Sequence, residues 1–200
     1  MSILLRRREL TACCPVDDSL IIYDAQRGIG RDNFQVAGKL LSGSSKYTFS
    51  TSDNLSLLLE VFDASGTTPN GAVSIRTKNP IDFTDCAKLH FLVNRVALST
   101  TASAKNGVRF QAGIGVCKEA NKNSYALYRD IYLQSGSKTY QRDYSCTAYI
   151  SAGTTVTMDV SAIESGHPSI GIYAYRSVTG GYWVRHRIEI SKIWLERKEE

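Results

Sequence analysis

The sequence predicts an all-β protein, an antiparallel β-sandwich of jelly-roll type, on three observations. The stretch VRFQAGIGV alternates without a break: Val108, Phe110, Ala112, Ile114 and Val116 against Arg109, Gln111, Gly113 and Gly115. A period of two puts every apolar side chain on one face of a strand, so one face packs and the other meets water. The same period returns at Leu89, Phe91 and Val93, at Val156, Met158 and Val160, and at Ile170, Ile172 and Ala174. Finally, no stretch sustains a 3.6-residue period, and Gly-, Ser- and Asn-rich turns separate the short apolar runs, the signature of a sandwich. The five apolar residues of Val108–Val116 are therefore expected on the interior face.

Residues 1–17 stand apart. An apolar triplet, Ile3, Leu4 and Leu5, is followed by Arg6, Arg7 and Arg8, then by TACCPVDD, in which Pro15 and two acids oppose a helix. This segment is expected to be a docking arm outside the sandwich. Its three apolar residues would insert into a neighbouring subunit, where the arginines would meet acidic groups. The alternative is a frayed, solvated terminus. Leu10-Thr11-Ala12-Cys13 imitates a lipobox, but the apolar triplet precedes the basic one and no apolar core follows, so no signal peptide is expected. No window approaches the roughly 18 apolar residues of a membrane span.

Residues 18–200 are expected to form one sandwich domain. Strands are predicted near 20–24, 46–50, 55–62, 72–77, 88–96, 108–116, 125–134, 144–150, 154–160, 169–176 and 183–196. Asn70-Gly71 and Asn106-Gly107 suit turn positions of positive φ. Arg27-Gly28-Ile29-Gly30-Arg31 contains a GxG but neither a third glycine nor a following helix, and is expected to be a loop. Segments 99–105 and 118–124 are polar loops of the kind that carries recognition on sandwich folds.

Composition narrows the function. The net charge is +5, with 22% charged and 42% hydrophobic residues. That is an ordinary soluble surface with no basic stripe adequate for nucleic acid. Five cysteines at wide spacing, without a CxxC, argue against a disulfide framework or a zinc site and for reduced thiols. No HExxH, H-x-H or GxxxxGK[ST] is present, so neither metal nor cofactor is expected. Catalytic residues are not expected either. His90 and His186 fall mid-strand as structural histidines, and His167 is expected to be solvated in a turn. The carboxylates Glu119, Asp130, Asp143, Asp159 and Glu164 cannot be paired by sequence for glycoside chemistry, and Asp159 is expected to cap the turn after its strand.

The aromatics carry more. Tyr125, Tyr128, Tyr132, Tyr140, Tyr144 and Tyr149 crowd one third of the chain, and Tyr173, Tyr175, Tyr182 and Trp183 follow. Tyr173 and Tyr175 fall on the outward phase of SIGIYAY. If Gly180-Gly181 closes a hairpin, Tyr182 and Trp183 would join them in a ligand-facing patch, since exposed Tyr and Trp suit sugar rings and protein interfaces. The alternative is tyrosines that merely stabilise sheet faces through cross-strand pairs.

SIRTKNPIDFTDCAKLHFLV resembles the IDLT-x-Y-x-x-L-x-F segment of jelly-roll modules in tailed-phage structural proteins and related carbohydrate-binding domains. MDVSAIESGHPSIGIYAY resembles the strand–turn–strand of the same modules, RIEISKIWLE their final strand, and MSILLRRREL the openings of phage tail and adhesin proteins. Cys86 departs from the usual aromatic, and His167-Pro168 from the usual small or aromatic residues. The resemblance implies a non-enzymatic virion protein, assembled in the bacterial cytoplasm, that joins other virion proteins through its arm, oligomerises and contacts a host-surface glycan. A purely structural capsid-decoration or baseplate subunit is the alternative, and a glycan-active enzyme or its accessory binding domain a third.

Overall fold

The computed structural model describes residues 20–199 except 42–44, 63–69, 101–107, 122–123, 135–146, 151–152 and 177–182. Residues 1–17, with Ile3, Leu4, Leu5, Arg6, Arg7 and Arg8, therefore lie outside the described residues, as does Tyr182.

Thirteen strands are described: β1 (Ile21–Asp24), β2 (Phe34–Leu41), β3 (Lys46–Ser50), β4 (Leu55–Phe62), β5 (Asn70–Thr77), β6 (Ile81–Asp82), β7 (Cys86–Thr100), β8 (Val108–Cys117), β9 (Tyr125–Gln134), β10 (Thr147–Ile150), β11 (Thr154–Asp159), β12 (Ser165–Arg176) and β13 (Trp183–Arg197). One sheet runs β10-β7-β13-β4-β3, with β1 on β13 and β11 beside β10 on β7; the other runs β2-β5-β12-β8-β9, with β6 on β12. Every pairing is antiparallel.

The order β4-β13-β7-β11 facing β5-β12-β8-β9 is that of a jelly roll. Taken in chain order, these eight strands pair first-eighth-third-sixth in one sheet and second-seventh-fourth-fifth in the other, which is two Greek keys wound together. β1, β2, β3, β6 and β10 extend this frame.

Alternation puts Leu55, Leu57 and Leu59 of β4, Leu89, Phe91 and Val93 of β7, and Ala112, Ile114 and Val116 of β8 into the shared core. The register expected for β8 holds at those last three, while the side chains of Val108 and Phe110 lie outside the described residues. The strand phase does not persist everywhere. In β13 the buried set is Ile188, Ile190, Ile193 and Leu195, a slip of one residue where the pairing with β7 shifts between Ile190 and Lys192. A β-bulge of this kind re-aims every side chain beyond it.

Two strands go unpredicted. β2 carries a register shift between Val36 and Gly38, which breaks the alternation of FQVAGKLL, and β6 is only two residues long. Asn70-Gly71 begins β5 rather than forming a turn. The GxG segment is irregular, as expected, with residues 25–28 in a turn and Ile29 bridged to Asp24. A one-turn 3-10 helix, Arg31–Asn33, follows Gly30, against the expectation of no helix there. Gly28 and Gly30 stand at φ 70 and 72. At Gly30 an added Cβ would stand 2.0 Å from the Ile22 carbonyl oxygen, so both φ and space require glycine there. Asp159 does cap its turn, its Oδ1 accepting from the Ser161 amide at 2.9 Å and hydroxyl at 2.6 Å.

His167 departs from expectation. It lies within β12, is buried, and its Nδ1 stands 2.8 Å from the Thr77 carbonyl oxygen. The strand begins at Ser165, before the proline, because Ser165 and Gly166 pair with β6. On its other side Gly166 lies close to β8, where an added Cβ would meet Val116 Cγ1 at 2.4 Å.

Candidate functional site

The outer face of the six-stranded sheet carries an arrangement that follows from cross-strand register. Leu40, Ala72, Tyr173 and Gln111 stand side by side on β2, β5, β12 and β8. Two residues along each strand, the neighbouring row is Gly38, Ser74, Gly171 and Gly113. A further step along three of these strands gives Arg76, Ser169 and Gly115. Side chains on one sheet face recur every second residue, so a row of small residues lies between a row that carries Leu40, Tyr173 and Gln111 and one whose only large side chain is Arg76.

The result is a trough of about 510 Å³. Its floor is Gly38, Ser74 and Gly171, and Leu40 and Tyr173 stand along one side. Leu40 is 58% and Tyr128 42% exposed, the two exposed large apolar residues among those described.

Glycines on β8 make room for tyrosines from β9. A Cβ on Gly113 would sit 2.2 Å from Tyr128 Oη and 2.5 Å from its Cζ, and one on Gly115 would meet the Tyr125 ring at 2.9 Å. The Tyr128 ring therefore occupies the space directly above Gly113, a glycine filled by an aromatic from the next strand. It is held there by Gln111 Nε2, which donates to Tyr128 Oη at 2.8 Å, and by Tyr125, whose ring centroid is 5.0 Å away at 64°.

Beneath the turn that links β8 to β9 lies a polar layer. Arg76 is fully buried; its Nη1 donates to the Glu119 carbonyl at 2.8 Å and its Nη2 to Ser74 Oγ at 3.4 Å. The Lys118 amide donates to the Ser124 carbonyl at 2.8 Å and closes the base of this turn. These bonds set Asn121 at the edge of the trough. Burial pushes the Tyr125 phenol up, the Cys117 thiol adds to the effect and Arg76 opposes it, so the phenol stays neutral, able to donate and accept.

Chemically the trough offers ring faces, side-chain amides from Gln111 and Asn121, and, among the described lining residues, one formal charge, that of Lys39. Of the carboxylates singled out in sequence, Glu119, Asp159 and Glu164 do not line it; Asp143 and the side chain of Asp130, which pairs with Gly113, lie outside the described residues. A second hollow of about 290 Å³, on the seven-stranded sheet, is lined by Ser50, Ser56, Arg187 and Glu189 among others and has no aromatic ring. Among the described residues no three His, Cys, Asp or Glu side chains gather as metal ligands do, and no helix is long and apolar enough to cross a membrane.

The histidines are held by contacts within the sandwich. His90 Nδ1 lies 2.9 Å from Thr157 Oγ1 and its Nε2 3.1 Å from Glu196 Oε2, while its ring stacks on Trp194 at 4.8 Å. His186 is fully buried between the sheets with Nδ1 3.3 Å from the Tyr173 carbonyl oxygen, and burial brings its pKa down to about 4. Cys86 and Cys117 are buried and free, and burial pushes the Cys86 thiol up.

Of the four aromatics that the sequence groups together, Tyr173 lines the trough. Tyr175 stands two positions further along the same strand, opposite Asn70 and Arg109, and Trp183 pairs with Phe62 at the start of β13. The side chains of Tyr175 and Trp183, like the whole of Tyr182, lie outside the described residues. β12 and β13 belong to opposite sheets, so the hairpin that would unite all four on one sheet is not formed. The trough instead recruits Tyr125, Tyr128, Gln111 and Leu40, which the sequence does not single out as a site. A signal for the tyrosines is present in it. Two glycines on the outward phase of VRFQAGIGV leave a surface that the next strand must cover.

No family model and no curated protein matches this sequence. Among solved structures, the chain is similar to the glycoside hydrolase domain of Endo-D from Streptococcus pneumoniae, with 11% identity and a TM-score of 0.37 over 84% of this chain and 22% of that one. It is similar to the family 11 carbohydrate-binding module of Clostridium thermocellum, a structure in complex with a mixed-linked tetrasaccharide, with 11% identity and a TM-score of 0.32 over 84% and 91%. It is also similar to the enzymatically active domain of bacteriophage CBA120 tailspike protein 4, with 13% identity and a TM-score of 0.31 over 82% and 19%. The chain thus spans about a fifth of the length of the Endo-D and tailspike chains. Likenesses of this depth assign neither ligand nor role, and what the chain binds has to come from its own surface.

Proposed function

We propose that this chain is a non-catalytic glycan-binding jelly roll, carried on a tailed-phage virion and contacting the host surface through the trough of its six-stranded sheet. The observation that carries glycan binding is the trough itself: a small-residue floor, the rings of Tyr173, Tyr125 and Tyr128, and the amides of Gln111 and Asn121. A pyranose has an apolar face and an equatorial fringe of hydroxyls. Aromatic rings take the first and amides the second. Among the described residues that line it there is no carboxylate, and glycoside cleavage calls for a pair.

The virion assignment is supported by the resemblance of the segments around Pro80–Asp85 and Asp159–Tyr175 to tailed-phage jelly-roll modules. In this reading residues 1–17 are the docking arm outside an 18–200 domain, and several copies per particle turn a weak sugar contact into useful avidity. One observation favours a second reading. Leu40, 58% exposed on edge strand β2, suits protein contact as well as sugar, and would make this face a contact between virion subunits.

An array of bacterial surface polysaccharides separates the two, probed with the wild-type protein and with Gly171→Val. A Cβ at Gly171 meets Ser74 Cβ at 3.7 Å, the Val73 carbonyl oxygen at 3.8 Å and Tyr125 Oη at 3.9 Å, ordinary contacts, so a side chain fits on the strand there and its further methyls occupy the trough floor. Retention of a glycan by the wild type and its loss in Gly171→Val is the expected result. No retention at all would leave the subunit-contact reading, and immunogold labelling of assembled particles tests the virion assignment.

A further inference from the structure

We infer that the trough takes the end of a glycan chain, about two sugars deep, rather than the interior of a polymer; this rests on the glycan-binding reading above. The two ends of the trough differ. At one end the floor begins at Gly38 on β2, which among the described residues is an edge strand with no further strand beyond it. At the other end it stops at β8, because the Tyr128 ring fills the space above Gly113. That ring is braced on two sides, by the bond from Gln111 Nε2 and by Tyr125 packed against it.

The open floor therefore covers Gly38, Ser74 and Gly171, on β2, β5 and β12. Three adjacent strands span two inter-strand spacings, roughly 10 Å, about the length of a disaccharide. A terminal sugar would lie over Gly171 with Tyr128 ahead of it and Tyr173 beside it. The second sugar would lie over Ser74 and Gly38. From there the chain has one direction of exit, over edge strand β2 past Leu40. A polymer passing straight through would have to displace Tyr128 from above Gly113, breaking its bond to Gln111.

The test uses the full-length protein and whichever array polysaccharide it retains, intact and after partial acid hydrolysis into fractions of one to six sugars. Titration calorimetry should show affinity rising from one sugar to two, then constant within about twofold from two to six. At equal mass, hydrolysed polymer should bind more protein than intact polymer, in proportion to its number of chain ends. Affinity that climbs more than tenfold between two and four sugars, or capacity that falls as chains shorten, would overturn end recognition while leaving glycan binding in place. An array that retains no glycan removes the glycan-binding reading and this inference with it. As a structural check, Tyr128→Ala should fold, open the blocked end and restore a gain in affinity from two sugars to four. No gain in a folded variant counts against Tyr128 as the stop.

Discussion

His186 sits fully buried between the two sheets, and this makes the stability of the fold depend on pH in a defined direction. An imidazole in the unfolded chain titrates near 6.5, whereas burial lowers this one to about 4 in the folded state, its bond to the Tyr173 carbonyl opposing the shift only in part. Between those values the unfolded state holds a proton that the folded state refuses, so acid favours unfolding. The contribution of the neutral histidine is complete above pH 6.5, is lost as pH falls toward 4, and changes no further below that. Each pH unit crossed costs about 1.4 kcal/mol, about 3 kcal/mol over the whole window. Urea unfolding at pH 7 and pH 4, in the wild type and in His186→Leu, isolates this from carboxylates that titrate in both proteins. The wild type should lose about 3 kcal/mol more than the variant over that interval. Parallel losses in the two proteins would show that His186 is protonated without cost, and that burial does not control it.

Further expectations concern packing and the arm. Gly113→Ala should lower stability by about 1–3 kcal/mol through overpacking against Tyr128, whereas Gly171→Val should leave the melting temperature nearly unchanged and abolish glycan retention. Ile114→Ala, in the core of β8, should cost about 2–5 kcal/mol in chemical denaturation. Deleting residues 1–12 should leave the melting temperature of the isolated protein unaltered but abolish incorporation into particles; a large drop in melting temperature would place the arm in the core.

Period-two alternation made the central strands legible. At Ala112, Ile114 and Val116, and at Ile170 and Ile172, the apolar phase of the sequence is the buried phase of the sheet. Where a bulge interrupts the phase, as at Val36–Gly38, the pattern dissolves and the strand goes unseen. Loops were harder still, because proline at 168 reads as a turn but is accommodated inside β12, opposite Val116. The site was less legible than the fold for a plain reason. Cross-strand neighbours such as Gly38, Ser74, Gly171 and Gly113 are scattered over 134 positions in sequence (38 to 171), and only register aligns them. Tyr173 could be placed outward from its own strand, but whether Trp183 shares its sheet depends on a crossing between sheets that local patterning does not encode.

The position of β13 has a consequence for how the chain is made. This strand, the last in chain order, lies in the middle of its sheet between β4 and β7 and also carries β1; Ile188 pairs with Leu57, more than a hundred residues earlier. Until residues 183–197 leave the ribosome, β4 and β7 have no common partner and the seven-stranded sheet cannot close. Closure is thus a late, long-range event of the slow-folding kind, and the apolar rows of β4 and β7 stay open to holdase chaperones throughout synthesis. A nascent chain stalled before residue 183 should remain protease-sensitive across its whole length, and release of the last strand should convert it to a resistant domain in one step.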